Sequence, residues 1–344
     1  MSDIALYRKY RPKDFKEVLG QDHIVKTLEG AIKQGAVSHA YLFSGSRGTG
    51  KTSVARILAK EIGTTEKDIY EMDAASNRGI DDIREIREAV NTYPYDSKYK
   101  VYIVDEAHML TKDAFNALLK TLEEPPEHAI FILATTEIGK LPDTVISRCQ
   151  VLEFKKPNQH ILKEMIERVA KSEGYKIDKK SVELISVMAD GSYRDALGIL
   201  QKVINASHDK KIEIEEVEKI TGAPKITLIN DFISALNAGN TESALKAVRD
   251  AGEGNVDMKI FMKLALAKVR AVLLLKFAPA LGKYFEEEFG EDDFKLLSEL
   301  SRIGDGKINE GLLSRLLEAY NGLGRSFIES LPIELAIISM EESI

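Results

Sequence analysis

The chain has 344 residues, enough for about two or three domains, and its apolar content of 44% allows each domain a core of its own. The formal net charge is −7, from 48 basic and 55 acidic residues, which excludes a generally basic protein that binds nucleic acid nonspecifically but not a local positive surface. Cys149 is the only cysteine, which excludes a disulfide framework and a cysteine zinc site.

The N-terminus and the most apolar stretch both predict a cytoplasmic protein without a membrane partner. No basic segment followed by an apolar core opens the chain, so we expect no secretory signal. Residues 261–278 are the most apolar, but Lys263, Lys268, Arg270 and Lys276 interrupt them. These charges favour a buried helix over a membrane span.

Short apolar strands alternate with helices up to residue 157. Strands are predicted at 41–44, 69–72, 101–104, 130–134 and 151–154, and helices at 22–34, 51–62, 80–91 and 111–123, the last with Thr111 as its N-cap. This alternation predicts a parallel five-stranded sheet with helices on both faces, whose ligands bind at the carboxyl ends of the strands.

Beyond residue 157 no strand pattern is visible. Three or four short helices are predicted over 158–221, and longer amphipathic helices over 225–344. We therefore predict an α/β nucleotide-binding domain at 1–157, a small helical domain at 158–222 and an all-helical domain at 223–344.

A phosphate-loop pattern, G-x-x-x-x-G-K-[ST], lies between the first strand and its helix. Glycines let the backbone N–H groups face phosphate oxygens, and the helix N-terminus adds partial positive charge. Lys51 is predicted to reach the β- and γ-phosphates, and Thr52 to place its hydroxyl on Mg²⁺. The predicted nucleotide-binding residues of this segment are Gly45, Ser46, Arg47, Gly48, Thr49, Gly50, Lys51, Thr52 and Ser53.

Two carboxylates end the apolar strand that begins at Lys100. Phosphoryl transfer needs Mg²⁺ opposite the phosphate loop and a water aimed at the γ-phosphate. Asp105 suits the metal and Glu106 suits the water, so we predict hydrolysis as well as binding.

Three further features each allow two interpretations. Ser192 and Asp195 have capping-box spacing, with Ser192 as the N-cap. Arg194 therefore lies in the first helical turn, where a cation opposes the helix dipole by about 0.3–1 kcal/mol. It is either a tolerated surface residue or a contact to the γ-phosphate across the cleft between the first two domains. Arg148 is either solvated or an arginine finger for a neighbouring subunit. The hydroxyls of Thr135 and Thr136 either cap a strand or orient the attacking water.

With these motifs placed, the chain resembles AAA+ ATPases of the clamp-loader branch, most of all the gamma/tau subunits of bacterial DNA polymerase III. The resemblance is dense over residues 4–222 and rests over 223–344 mainly on helical character and on 331–336. The segments that carry it are 7–15, 20–21, 45–52, 73–79, 104–110, 115–126, 133–136, 147–149 and 191–197.

The resemblance assigns further roles. It makes Thr136 sensor 1, Arg148 the arginine finger and Arg194 sensor 2. It places Tyr7, Arg11, Pro12 and Val18 in the nucleotide pocket. It also implies a helical lid at 158–222, a collar at 223–344, and a nucleoid-associated pentameric ring of clamp-loader subunits. Such a ring uses ATP and Mg²⁺ to open a sliding clamp and load it onto primed DNA, without a polymerase active site in this chain.

Two departures from the bacterial pattern leave alternatives open. Residues 63–68 stand where bacterial gamma/tau subunits usually carry a four-cysteine zinc module, so we expect no zinc. The archaeal and eukaryotic small clamp-loader subunits, which also lack that module, are therefore an alternative. A gamma-like length is implied, since no tau-like extension follows the collar. A nonhydrolysing scaffold subunit and a hexameric AAA+ DNA translocase are further alternatives.

Two helix starts are candidate contacts to DNA. One lies near Ser76, Asn77 and Arg78, and the other at Thr111 and Lys112. Each offers backbone N–H groups, a hydroxyl or amide side chain and one cation, which is a phosphate-contact set without base readout. Arg78 and Lys112 are otherwise ordinary solvated charges.

Overall fold

The structure is a computed structural model that describes residues 4–77, 79–207 and 209–340. The chain divides into two compact units. The first contains the residues up to Leu162 together with Gly191–Gly198, and the second contains Lys163–Asp190 together with the residues from Ile199 onward. Two units are a coarser division than three domains, so the limits at residues 157 and 222 stay predictions.

The first unit contains a parallel sheet with the strand order β2-β3-β4-β1-β5. All five predicted strands are confirmed, each within one residue at either end. Their bounds are β1 Ala40–Ser44, β2 Ile69–Asp73, β3 Lys100–Asp105, β4 Ala129–Thr135 and β5 Gln150–Glu153.

Helices cover both faces of this sheet, as predicted. One face packs against α2 and α3, and the other against α4 and α5. The helices of this region are α1 Leu6–Lys9, α2 Asp22–Lys33, α3 Lys51–Glu61, α4 Ile80–Val90, α5 Lys112–Glu123 and α6 Asp143–Ile146.

The three central strands β1, β4 and β3 are buried on both faces. That burial explains why their sequences are continuous apolar runs rather than alternating ones. The edge strand β2 is different, because Tyr70 and Glu71 are exposed. The most buried strands are therefore those whose carboxyl ends carry the predicted site.

The rest of the chain is mostly helical, with one difference from the prediction. Lys176–Ile177 and Lys211–Ile212 form a two-stranded parallel sheet, β6 and β7, in the region predicted to be helical only. Strands of two residues are too short to show alternation, so no periodic signal announces them. The helices are α7 Gln159–Ser172, α8 Lys179–Ala189, α9 Tyr193–Ala206, α10 Ile214–Thr221, α11 Ile226–Ala238, α12 Thr241–Glu253, α13 Met258–Phe277, α14 Gly282–Phe289, α15 Glu291–Arg302, α16 Glu310–Gly322 and α17 Leu331–Ile338.

The long helix α13 contains the apolar stretch predicted to be a buried helix, and it packs against α11, α15 and α16. Its Lys268 is buried, and its ammonium group donates to Asp293 of α15 and to Asn230 Oδ1 of α11 at 2.7 Å. Burial lowers the pKa of Lys268, and the Asp293 carboxylate opposes that shift. Within residues 4–77, 79–207 and 209–340, no helix is long and apolar enough to cross a membrane.

We expect Asp293→Ala to lower the free energy of unfolding by roughly 3–5 kcal/mol, because it leaves the buried Lys268 ammonium without its counter-ion. Asp292→Ala is the matched control. Its carboxylate is exposed and pairs with Lys180 at 3.5 Å, so the loss should stay below about 1 kcal/mol. Urea unfolding measures both variants.

Replacing both charges, as Lys268→Met with Asp293→Leu, should recover most of that loss, since no unpaired charge is then buried. Equal losses in Asp293→Ala and Asp292→Ala would contradict the importance of the buried pair.

Candidate nucleotide-binding site

The strand order places the predicted motifs side by side. Strand β4 lies between β3 and β1, with Ser44 opposite Thr135 and Val104 opposite Leu133. The phosphate loop follows β1, Thr136 follows β4, and Asp105 ends β3. The Thr135–Thr136 pair therefore lies between the phosphate loop and the carboxylates that end β3.

The phosphate loop depends on glycines at two close approaches. Gly45 has a φ of 141°, and a Cβ there would lie 2.4 Å from the carbonyl oxygen of Phe154. Gly48 has a φ of 75°, and a Cβ there would lie 2.1 Å from Ser192 Oγ. A side chain at Gly45 would have to displace backbone, and one at Gly48 would have to displace the Ser192 hydroxyl that caps α9.

Lys51 is the first residue of α3, and its side chain folds back into the loop. Its Nζ donates to the carbonyl oxygens of Gly45 at 2.7 Å and Ser46 at 2.9 Å. Only 6% of the residue is exposed. Burial lowers the pKa of Lys51, while the Glu106 and Asp105 carboxylates oppose that shift. A buried ammonium group at a helix N-terminus is suited to a phosphate anion.

Two hydroxyl–carboxylate contacts join the motifs. Thr52 Oγ1 donates to Asp105 Oδ2 at 2.7 Å, and Thr136 Oγ1 donates to Glu106 Oε2 at 3.2 Å. Mg²⁺ takes oxygen ligands in octahedral geometry, usually one or two from protein and the rest from phosphate and water. The oxygens of Thr52 and Asp105 fit such a metal.

Further cations stand close to the loop, and sequence reasoning missed one of them. Arg56 of α3 donates to Glu71 at 2.6 Å, which raises its pKa. The pKa of Arg11 is lowered by burial and by the positive charges of Arg56 and Arg194. Arg11, Lys51, Arg56 and Arg194 thus form a group of cations that influence one another. No local pattern singles out Arg56, because residues five apart do not share a helix face.

The start of α9 belongs to the same compact unit as the phosphate loop. Ser192 is its N-cap, as predicted, since its Oγ accepts from Asp195 N at 3.1 Å. The backbone N–H of Tyr193 donates to Gly48 O at 3.0 Å, and its hydroxyl donates to Leu19 O at 2.7 Å. Because Arg194 is the next residue, these bonds place it on the same side of the unit as the phosphate loop.

The remaining predicted pocket residues surround the same region. The guanidinium of Arg194 lies 5.8 Å from the ring centre of Tyr7 in α1. Val18 precedes Leu19, which accepts the Tyr193 hydroxyl. Pro12 lies in the loop after α1, and Ser53 lies in the first turn of α3.

Arg148 stands apart from these residues. Its guanidinium donates to Glu123 Oε1 at 2.6 Å and to Thr144 O at 2.7 Å. These partners lie at the end of α5 and in α6 rather than in the phosphate loop. Arg148 therefore remains either a residue paired in its own subunit or a finger for a neighbour.

The two candidate DNA contacts differ in their local structure. Thr111 caps α5 as predicted, accepting from Ala114 N, and Lys112 is exposed. The other helix begins at Ile80, as its predicted range 80–91 has it, with Gly79 as its N-cap, so the candidate contacts near Ser76 and Asn77 lie in the turn before it. Ser76 and Asn77 instead hydrogen bond to Asp73, because an Asp ending a strand stabilises the turn that follows. Arg78 lies outside the described residues.

Comparisons with known proteins agree with this geometry. The family described as DNA polymerase III, delta subunit, matches residues 20–78 and 66–158. DNA polymerase III subunit tau of Bacillus subtilis is 42% identical over 320 residues, which cover 87% of this chain and 57% of that protein. DNA polymerase III subunit gamma/tau of Mycobacterium tuberculosis is 35% identical over 345 residues, covering 93% of this chain and 59% of that protein.

Over most of its length the chain is similar to the gamma/tau subunits of bacterial DNA polymerase III. It spans somewhat less than two thirds of the length of these two relatives. Among solved structures, the Holliday junction branch migration motor RuvB of Thermotoga maritima matches with a TM-score of 0.53 and 25% identity, covering 66% of this chain and 79% of that one. The predicted AAA+ fold with helical regions after the sheet is confirmed.

We expect Gly48→Ala to weaken MgATP binding roughly tenfold or more. A left-handed non-glycine residue costs about 1–2 kcal/mol, and the new methyl group would also collide with Ser192. Titration calorimetry measures the affinity.

The control is Gly198→Ala in α9, where a Cβ meets nothing within 4 Å. It should leave MgATP affinity unchanged and raise stability by about 0.5–1 kcal/mol, because glycine is a poor helix former. Wild-type affinity in Gly48→Ala would refute the close approach as a determinant of binding.

Proposed function

We propose that the chain is an ATP-hydrolysing motor subunit of a clamp loader, which opens a sliding clamp and loads it onto primed DNA during replication. The observation that carries the ATPase assignment is the pair of contacts Thr52–Asp105 and Glu106–Thr136 beside the buried Lys51. Similarity to the gamma/tau subunits of DNA polymerase III supports the clamp-loading role.

Each residue of the site has a separate task in this proposal. Lys51 and the N–H groups at the start of α3 bind the phosphates, and Arg194 approaches the γ-phosphate from α9. Thr52 and Asp105 would hold Mg²⁺, which would supply neutralisation of phosphate charge. Glu106 accepts a hydrogen bond from the attacking water and polarises it, while the Thr136 hydroxyl orients the Glu106 carboxylate.

The adenine side of the pocket is assigned to the segment around Tyr7, Arg11, Pro12 and Val18. Tyr193 supports this assignment, because its hydroxyl fixes the backbone at Leu19, next to Val18. The guanidinium of Arg194 lies over the Tyr7 ring, which links the start of α9 to this segment.

A hexameric DNA translocase is the second candidate, because a branch migration motor shares the fold over two thirds of this chain. A subunit count by native mass spectrometry separates the two, with five expected for a clamp loader and six for a translocase. The intact Lys51, Thr52, Asp105 and Glu106 favour a hydrolysing subunit over a nonhydrolysing scaffold. Absence of zinc and placement in the nucleoid remain predictions.

We assign the contact with duplex DNA to the N-terminus of α5. A second contact, at Arg78, is assigned from sequence alone. Thr111 and Lys112 place a hydroxyl, a cation and the first N–H groups of α5 at an exposed position. Contacts of this kind bind phosphates and fix register without reading bases.

Lys51→Ala should abolish MgATP binding, because it removes the ammonium group that contacts the phosphates. Glu106→Gln should keep binding within a few-fold of wild type and stop turnover, because an amide polarises water poorly. Calorimetry and phosphate release measure the two steps separately. Turnover by Glu106→Gln within a few-fold of wild type would overturn the role of Glu106.

Arg148→Ala should leave MgATP binding nearly intact and slow hydrolysis in the assembled ring. Arginine fingers contribute on the order of 10³–10⁵ in rate. Turnover of an affected site should recover when the finger-donating neighbour is wild type. An equal loss in the dilute chain and in the ring would mean that Arg148 acts within its own subunit.

A further inference from the structure

His108 is a buried polar residue that the proposed mechanism does not use. It lies in the 3₁₀ turn Ala107–Met109 directly after Glu106, and only 7% of its side chain is exposed. Its Nδ1 lies 3.1 Å from Thr135 Oγ1 and 3.5 Å from Glu106 Oε2. Its Nε2 lies 3.5 Å from Glu137 Oε1. The ring thus connects the end of β3 with the end of β4.

The hydrogen-bond network assigns the tautomer of this ring. Thr135 Oγ1 accepts the backbone N–H of Glu137 at 3.0 Å, which leaves its own proton to donate to Nδ1. With Nδ1 accepting from Thr135, Nε2 carries a proton and directs it towards the Glu137 carboxylate.

The orientation of the Glu106 carboxylate depends on neighbouring residues, for two reasons. Its backbone is left-handed, with a φ of 47°, a conformation that costs about 1–2 kcal/mol for a residue with a Cβ. The single bond from Thr136 to its carboxylate is 3.2 Å long and only partly buried. Thr136 can hold that bond only if the backbone at Thr135 and Glu137 stays where it is.

We propose that His108 is a positioning residue that ties the Thr135–Glu137 segment to the Glu106 turn, so that Thr136 keeps the Glu106 carboxylate in one orientation. This role rests on the proposed ATPase function. A displacement of about 1 Å at a reacting group can cost a factor on the order of 10² in rate. Loss of the tie should therefore lower kcat while phosphate binding, which depends on Lys51, persists.

Two substitutions separate this role from simple space filling. His108→Leu keeps apolar volume without a hydrogen bond, and we expect a fall of roughly 10–100-fold in kcat with MgATP affinity within about threefold of wild type. His108→Asn can still accept from Thr135 through its side-chain oxygen, so kcat should remain within about fivefold of wild type. Melting temperatures of both variants report whether they fold.

Thr135→Val tests the same contact from β4, because it removes the hydroxyl and keeps the shape. It should lower kcat as His108→Leu does, and the two together should be no worse than either alone, since both break one interaction. Additive losses would mean that the two residues act separately, which overturns the proposal.

ATP hydrolysis is measured for the full chain with its partner subunits and primed DNA. Wild type, His108→Leu and Glu106→Gln are compared in the same assay. If wild type does not hydrolyse ATP, the proposed function fails. If wild type hydrolyses ATP, Glu106→Gln does not, and His108→Leu equals wild type, only the role of His108 fails. Equal losses of affinity and kcat in His108→Leu also overturn it.

Nitrogen NMR of ¹⁵N-histidine-labelled protein tests the contact between His108 and Thr135 without an activity assay. We expect the Nε2–H tautomer for His108 in wild type, and a changed Nδ1 shift in Thr135→Val. A proton on Nδ1 in wild type would overturn the assigned contact even if a variant failed to fold.

Discussion

The parallel hydrogen bonding of β3, β4 and β1 is the constraint on which the rest of the site depends. Because the three strands run in one direction, their carboxyl ends meet at one edge of the sheet. A slip of one residue in β4 would turn every side chain near its end, including those of Thr135 and Thr136, to the other face of the sheet. Burial on both sides holds the register, since a slip would have to rearrange two packed faces at once.

Charge is the second constraint, and it is local. The chain is acidic overall, yet Arg11, Lys51, Arg56 and Arg194 influence one another around the phosphate loop. Asp105, Glu106 and Glu71 partly offset these cations. Binding of a polyphosphate would relieve the repulsion among the cations as well as form new contacts. That relief favours an anionic ligand over a neutral one of similar shape.

The sequence predicts features carried by contiguous residues better than features that depend on distant side chains. The phosphate loop and the N-caps Thr111 and Ser192 each follow from a few neighbouring residues, and all three are confirmed in position. The helix α4 begins at its predicted residue, but the candidate DNA contacts Ser76 and Asn77 lie before it, in a turn that Asp73 stabilises. The sheet of β6 and β7 is missed because two residues have no period. The contact of His108 with Thr135 joins residues 27 apart, and no local pattern reveals it.

Arg194 shows how these constraints combine. As a cation in the first turn of α9 it opposes the helix dipole, so its position needs an external stabiliser. The bonds from Tyr193 to Gly48 and Leu19 hold that turn against the loop independently of the Arg194 charge. The unfavourable position is therefore maintained by neutral backbone and phenol contacts, and the guanidinium remains exposed to meet an anion. In the proposed ATPase, such a site would be preorganised for a γ-phosphate before the nucleotide binds.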